Sequence, residues 1–225
     1  MNQDNQDEHL EEVSESKFSL INYYEENGKL INIAAGVVIA LVLGIWAYVK
    51  FYQPMQDEKQ NAELFMTERY FVQDSLDLAL NGDGISSGAM DLAGGGSISA
   101  QKASYIAGRA LMEKGQFEEA LDYLKDVDFD DQIVGPLASV LMGDCHAEME
   151  NYDKAASAYM KAVGKSDNQF TAPYALKKAG RAYEAAGNWD KALSVYKRLK
   201  EDFRETEFGR DMDKYIARAE IKAGK

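Results

Sequence analysis

The strongest constraint on this chain is a stretch of twenty residues, Leu30 to Val49, that contains no aspartate, glutamate, lysine, arginine or histidine. At a rise of about 1.5 Å per residue, a helix of this length crosses the roughly 30 Å hydrocarbon core of a bilayer. Aromatic side chains, which prefer the headgroup layer, lie near both ends of the stretch: Tyr23, Tyr24, Trp46, Tyr48, Phe51 and Tyr52. The sequence therefore predicts one transmembrane helix over residues 30–52 rather than a buried helix of a soluble core.

An acidic segment precedes this helix. Residues 1–29 are expected to form an acidic N-terminal tail that ends in an amphipathic juxtamembrane segment. A cleaved signal peptide would begin with basic residues and have a shorter apolar core, so we expect the helix to remain attached. Basic residues are almost equally frequent on both sides of the helix, and the positive-inside rule therefore leaves its orientation open.

Small residues recur at four-residue spacing within the predicted transmembrane helix, at Gly36, Ala40 and Gly44. Such a stripe lets a second helix approach closely inside a membrane. These three residues are candidate contacts for another transmembrane helix, although small residues are common in any membrane-spanning helix.

The rest of the chain has a repeat of 35 to 37 residues. Three segments share glycine, aromatic and alanine positions at identical internal spacing: Gly108, Gly115, Phe117, Ala120 and Leu124; Gly143, Glu150, Tyr152, Ala155 and Tyr159; Gly180, Gly187, Trp189, Ala192 and Tyr196. This pattern is similar to that of tetratricopeptide repeats, in which each repeat is a pair of antiparallel helices. Small residues let the two helices pack closely, and glycine suits the left-handed end of a helix.

The predicted fold is therefore all-α, with one N-terminal transmembrane helix followed by a tetratricopeptide-type helical-repeat solenoid. Three repeats are expected over residues 101–206. Residues 53–100 are expected to supply a packing helix and a flexible Gly/Ser-rich loop, and residues 207–225 a C-terminal capping helix, because the ends of a repeat array need covering.

The first helices of successive repeats line the concave side of such an array, which is its usual partner surface. The repeat positions place the following candidate partner-binding residues there: Tyr105, Arg109, Met112, Val140, Asp144, Tyr174, Lys177 and Arg181. Aromatic and arginine side chains are the best candidates because they dominate interface energetics.

Sequence motifs for catalysis or for ligand binding are incomplete in this chain. The glycines at 94–96 lack the GK[ST] ending of a phosphate-binding loop, and the aspartates at 126–130 lack the glycine and glutamate of a calcium loop. His146 and Glu148 lack the cysteine partners of a zinc deaminase. Cys145 is the single cysteine and is expected to be a buried apolar residue. We expect no enzymatic activity, no cofactor and no metal site. The net charge of −13 makes nucleic-acid binding implausible.

Taken with the helix and repeats that follow, the segment from Tyr23 to Lys29 resembles the YfgM family over nearly the whole chain. This resemblance implies a bacterial inner-membrane protein with a cytoplasmic N-terminus and a periplasmic repeat domain. It further implies an ancillary role at the Sec translocon channel, association with a PpiD-like membrane-anchored periplasmic chaperone, and contact with newly exported polypeptides. The alternative is a structural adaptor of another envelope assembly or secretion complex.

Overall fold

The computed structural model describes the backbone of residues 4–225 and the side chains of residues 23–225 except residues 53, 56, 57, 59 and 60. Part of the predicted acidic tail therefore lies outside the described residues, as do the side chains on which its amphipathic character depends. The described residues form α-helices and one short π-helical segment, and they contain no strand. The chain divides into two compact units between residues 56 and 57.

The first unit is dominated by one long helix, α1, at Asp4–Ala47, which continues into a π-helical segment at Tyr48–Tyr52. The stretch Tyr23–Tyr52 is long and apolar enough to cross a membrane, and its apolar part is not buried inside the protein. At about 1.5 Å per residue, thirty helical residues extend about 45 Å. This helix and the all-helical remainder confirm the predicted fold class.

The second unit begins within α2, Gln53–Val72, and continues with the short helices α3, Leu76–Asn81, and α4, Ala89–Leu92. The single packing helix expected here is thus divided, because Asp74 adopts a left-handed backbone conformation just after α2. The Gly/Ser-rich segment at residues 81–97 lies mostly outside helices, and its expected flexibility stays a prediction. Its middle contains α4 and the buried Ala89, and Thr67 Oγ1 donates a 2.9 Å hydrogen bond to the Ser87 carbonyl oxygen.

Three helical hairpins follow, with bounds α5 Ile98–Glu113, α6 Phe117–Leu124, α7 Val134–Glu148, α8 Tyr152–Lys165, α9 Thr171–Ala185 and α10 Trp189–Asp202. The turns of the first and third hairpins contain Gly115 and Gly187, both with φ 75°, as the repeat pattern predicts. In the second hairpin the equivalent residue is Glu150, which has φ 59°. All three hairpins therefore turn in the same way, and only the first and third use the residue that favours this conformation.

Close packing inside each hairpin explains the repeated glycines. A methyl group on Gly143 would lie 2.4 Å from Cε1 of Tyr159, and one on Gly180 would lie 2.3 Å from Cε1 of Tyr196. The first hairpin has the same arrangement between Gly108 and a leucine sixteen residues later, Leu124. Any side chain at these positions would push the two helices apart.

The last helix, α11, spans Asp213–Lys222 and packs on α10. It is shorter than the segment expected from sequence, because residues 204–212 form turns. Buried apolar side chains form two clusters, one around α2 to α6 with Cys145, and one from α7 through α11. The second cluster includes Ala219 of α11, so this helix covers the end of the repeat core.

Candidate interaction surface

The eight partner-binding candidates lie on α5, α7 and α9, and the structure separates them into groups with different surroundings. The first group, on α5, consists of Tyr105, Arg109 and Met112, all of them half-buried. The Arg109 guanidinium lies 5.3 Å from the centre of the Phe71 ring in α2 and 3.2 Å from the Glu113 carboxylate. The α2 helix therefore flanks this part of the surface.

The second group, on α7, consists of Val140 and Asp144, and the prediction for Val140 is corrected. Val140 is only 2% exposed and belongs to the core that joins the second and third hairpins, so it is not accessible to a partner. Asp144 is accessible in part, but its Oδ1 accepts hydrogen bonds from the Tyr159 hydroxyl at 2.6 Å and from Lys178 Nζ at 2.8 Å. Asp144 thus links α7, α8 and α9 across two repeats.

Two groups beside Asp144 have shifted pKa values. Burial raises the pKa of the Tyr159 hydroxyl, and the hydrogen bond to Asp144 raises it further. Burial alone would lower the pKa of Lys178, but the hydrogen bond and the charge of Asp144 outweigh burial, so this pKa lies above its usual value. Both groups are therefore protonated at neutral pH, and they hold the Asp144 carboxylate in place.

The third group, on α9, is partly covered by the C-terminal segment. The rings of Tyr174 and Phe208 have centroids 5.6 Å apart, and Lys177 Nζ lies 5.4 Å from the centre of the Phe208 ring. Lys177 also lies 6.0 Å from the Tyr215 ring of α11. Arg181 is exposed and is the most accessible charged candidate of the eight.

Two cavities adjoin these groups. One, of about 210 Å³, lies between α7, α8 and α9 and is bordered by Lys178, Arg181 and Tyr159. The other, of about 380 Å³, lies beside α5 and is bordered by Tyr105 with mostly apolar side chains. Of the candidates, Arg181 borders the first of these two cavities and Tyr105 borders the second.

Sequence reasoning missed several residues of this surface. Lys178 was not a candidate, although it bridges Asp144 and lies 5.1 Å from the Tyr174 ring centre. The sequence contains an indication of this contact, because Lys178 follows Asp144 by 34 residues, which is close to the repeat length. Phe129 and Val134 also border the larger cavity. Phe129 lies in the connection between the first and second hairpins, and Val134 directly follows this connection. The comparison of repeat positions did not include this segment.

Cys145 and His146 lie next to this surface on α7. Cys145 is fully buried, and burial raises the pKa of its thiol to about 12, so it is a protonated packing residue at neutral pH. His146 is half-buried, and burial lowers the pKa of its imidazole. These surroundings suit packing rather than nucleophilic chemistry.

The candidate transmembrane contacts Gly36, Ala40 and Gly44 lie on α1 within the apolar stretch. A methyl group on Gly36 or Gly44 would meet no atom within 4 Å apart from its chain neighbours and the nearby backbone of its own helix. Ala40 is exposed. These positions are therefore open to a neighbouring helix, and their role as contacts stays a prediction.

Comparisons with known proteins identify the repeats. Two family models of the tetratricopeptide repeat match the chain, over residues 138–164 and 175–206. Two crystal structures of the putative kinesin light chain of Podosopora anserina, with nearly identical tetratricopeptide-like repeats, match with TM-scores of 0.56 and 0.57. Each has 15% identity over 75% of this chain and 88% of that chain, a likeness that shows the fold alone. A comparison with curated proteins finds no match. The chain contains tetratricopeptide repeats, which suggest a scaffold for protein–protein interaction.

Proposed function

We propose that this tetratricopeptide-repeat protein is a non-enzymatic scaffold, anchored in a membrane by α1, that binds a protein partner on the first helices of its repeats. The observation that carries this proposal is the combination of an apolar 30-residue helix with repeated hairpins in one chain. Accessible arginine and aromatic side chains on the first helices fit such a role, because these residue types supply most of the binding energy at interfaces.

We further propose that the partners belong to protein export. The resemblance to the YfgM family supports an ancillary role at the Sec translocon channel in a bacterial inner membrane, with the N-terminus cytoplasmic and the repeats periplasmic. In this role the repeats bind a PpiD-like chaperone, newly exported polypeptides, or both. Arg181 is the candidate we expect to contribute most, since it is exposed and borders a cavity.

The test is affinity purification of the full chain in mild detergent, followed by quantitative mass spectrometry. We expect the Sec channel and a membrane-anchored chaperone to be enriched. Arg181→Glu should reduce recovery of the chaperone, whereas Arg204→Glu, a charge reversal at a residue 77% exposed outside the first helices, should not. Recovery of a different envelope complex would replace the export role with that of a structural adaptor.

The transmembrane face has a separate test in the same purification. Gly36→Leu combined with Gly44→Leu should reduce recovery of a membrane-embedded partner, because leucine side chains would prevent close helix approach. Val37→Leu is the matched control, since Val37 already carries a branched side chain in the same stretch. Equal recovery from all three proteins would contradict a role for the small-residue stripe.

A further inference from the structure

Each hairpin begins with an exposed apolar side chain at the same repeat position. Ile98, Ile133 and Phe170 each precede the repeat glycine of their own hairpin by ten residues. They are 61%, 46% and 71% exposed. We call these three residues the leading row. Single exposed apolar residues are ordinary, but an equivalent one at the start of every first helix forms a periodic surface.

The backbone beneath the leading row is held by side-chain hydrogen bonds. Asp131 Oδ1 accepts from the Ile133 amide at 2.7 Å, and Asn168 Oδ1 accepts from the Phe170 amide at 2.7 Å. In the first hairpin, Ser97 Oγ accepts from the Ala100 amide at 3.1 Å. The apolar side chains are therefore presented on ordered backbone, which lowers the entropy cost of binding.

Hydrogen bonds also join neighbouring hairpins along the leading row. Gln101 Oε1 of α5 accepts from the Asp128 amide at 2.8 Å, in the segment before α7. Asn168 Nδ2, before α9, donates to the Gln132 carbonyl oxygen at 2.7 Å. The starts of the three first helices are thus adjacent, and each presents one exposed apolar side chain of the leading row.

The cavity of about 380 Å³ opens beside the first member of the leading row. Its lining comes from α2, from α5, from the connection before α7 and from the start of α7. The apolar members of this lining are Ile98, Tyr105, Ile106, Phe129 and Val134. This volume accommodates a large aliphatic or aromatic side chain. The leading row therefore adjoins one mostly apolar pocket, an arrangement that suits an anchor residue of a partner.

The charged groups around the pocket are mainly acidic. Glu68 and Asp131 line it together with Lys102, and Asp130 is exposed next to it. Among the described residues, Glu68 and Asp130 form no ion pair within 4 Å. This acidic rim disfavours docking on an anionic lipid surface, which attracts lysine and arginine. It favours a ligand that carries basic side chains.

We propose that the leading row and its pocket bind an amphipathic helix of a protein partner whose apolar face is flanked by lysine or arginine. A strand-adding partner is disfavoured, because the described part of this chain has no sheet edge, whereas helix-in-groove binding uses apolar anchors at helical spacing. The proposal rests on the scaffold function given above and specifies the chemistry of the partner.

The test uses the full chain in detergent micelles and three synthetic helical peptides. The first has a leucine and phenylalanine stripe flanked by lysine, the second has the same stripe flanked by glutamate, and the third has the composition of the first in scrambled order. We expect the lysine peptide to bind at least about tenfold more tightly than the other two, with affinity that falls as salt rises.

Variants locate the site. Ile133→Ser and Phe170→Ser remove exposed side chains, so they should leave the fold intact while raising the dissociation constant of the lysine peptide about tenfold. Ile221→Ser is the matched control, because Ile221 is 76% exposed on α11, outside the leading row, and this variant should bind like the parent. Glu68→Gln with Asp130→Asn should reduce the preference for lysine over glutamate.

Three results would overturn the proposal. One is equal binding of all three peptides, and another is equal binding by the leading-row variants and the Ile221 control. The third is self-association of the chain, detected by sedimentation and abolished by Phe170→Ser. That result would mean that the leading row binds a second copy of the chain. These outcomes are distinct from failure of the export role, since the peptide assay contains no translocon component.

Discussion

At the residue scale, the repeat glycines provide a direct test of hairpin packing. Gly143→Ala places a methyl group 2.4 Å from the Tyr159 ring, which is only 3% exposed and cannot move freely. We expect a loss of about 1–3 kcal/mol in the free energy of unfolding from overpacking, measured by chemical denaturation.

Gly164→Ala is the matched control for Gly143→Ala. Gly164 lies in the neighbouring helix α8, and a methyl group there would meet no atom within 4 Å apart from its chain neighbours and the nearby backbone of α8. Because alanine favours helix more than glycine does, this variant should gain up to about 1 kcal/mol. Similar losses from both variants would show that helix propensity, rather than interhelical space, determines the result.

A second residue-scale prediction concerns Asp144. Asp144→Ala removes the acceptor for the Tyr159 hydroxyl and for Lys178, leaving two partly or fully buried donors without this partner. We expect destabilisation by about 1–3 kcal/mol at neutral pH. A loss no larger than that of Asp122→Ala, at an exposed residue paired with Lys125, would contradict this structural role.

The same cluster predicts a dependence on alkaline pH. The pKa values of Tyr159 and Lys178 are both raised in the folded protein, so the folded state binds these protons more tightly than the unfolded state. The resulting stability is complete below about pH 10 and is lost as pH rises through the raised pKa values. Asp144→Asn should make this alkaline decline in the free energy of unfolding shallower. An unchanged decline would mean that other groups cause it.

At the scale of elements, α11 closes the repeat array through a few specific contacts. The Tyr215 and Tyr196 rings have centroids 5.3 Å apart, and the Arg218 guanidinium donates to both carboxylate oxygens of Glu184, at 2.8 and 2.6 Å. Tyr215→Ala should lower the free energy of unfolding by about 1–3 kcal/mol. It should also increase amide hydrogen exchange in α9 and α10 before it does so in α5. Ile221→Ser, at an exposed residue of the same helix, should change neither quantity.

The sequence predicted the paired helices because their glycine, aromatic and alanine positions recur at fixed spacing. It did not predict that Val140 is buried or that Lys177 contacts Phe208, since those contacts depend on how closely the next hairpin or the C-terminal segment approaches. A repeat position indicates the face of a helix, but burial also depends on the neighbour. Phe170 was missed for a related reason, because an apolar residue at a helix start resembles a core residue in sequence alone.

At the scale of the whole molecule, the two units suggest different tasks. The apolar helix is long enough to cross a membrane, and the tetratricopeptide repeats suggest a scaffold for protein partners. Under the proposed function, anchoring would raise the effective concentration of partners in the same membrane, so modest affinity at the repeat surface would be sufficient for association. The partners that the repeats can contact depend on the side of the membrane on which the repeats lie.

Orientation can be measured by labelling single cysteines in intact spheroplasts with a membrane-impermeant maleimide. The native thiol gives little background, since Cys145 is fully buried. With the repeats periplasmic, Asp211→Cys should be labelled in intact spheroplasts, whereas Glu25→Cys should be labelled only after lysis, because the apolar stretch from Leu30 to Val49 lies between the two positions. The reverse pattern would place the repeats in the cytoplasm and exclude contact with exported polypeptides. Labelling of both sites in intact spheroplasts would contradict a transmembrane α1.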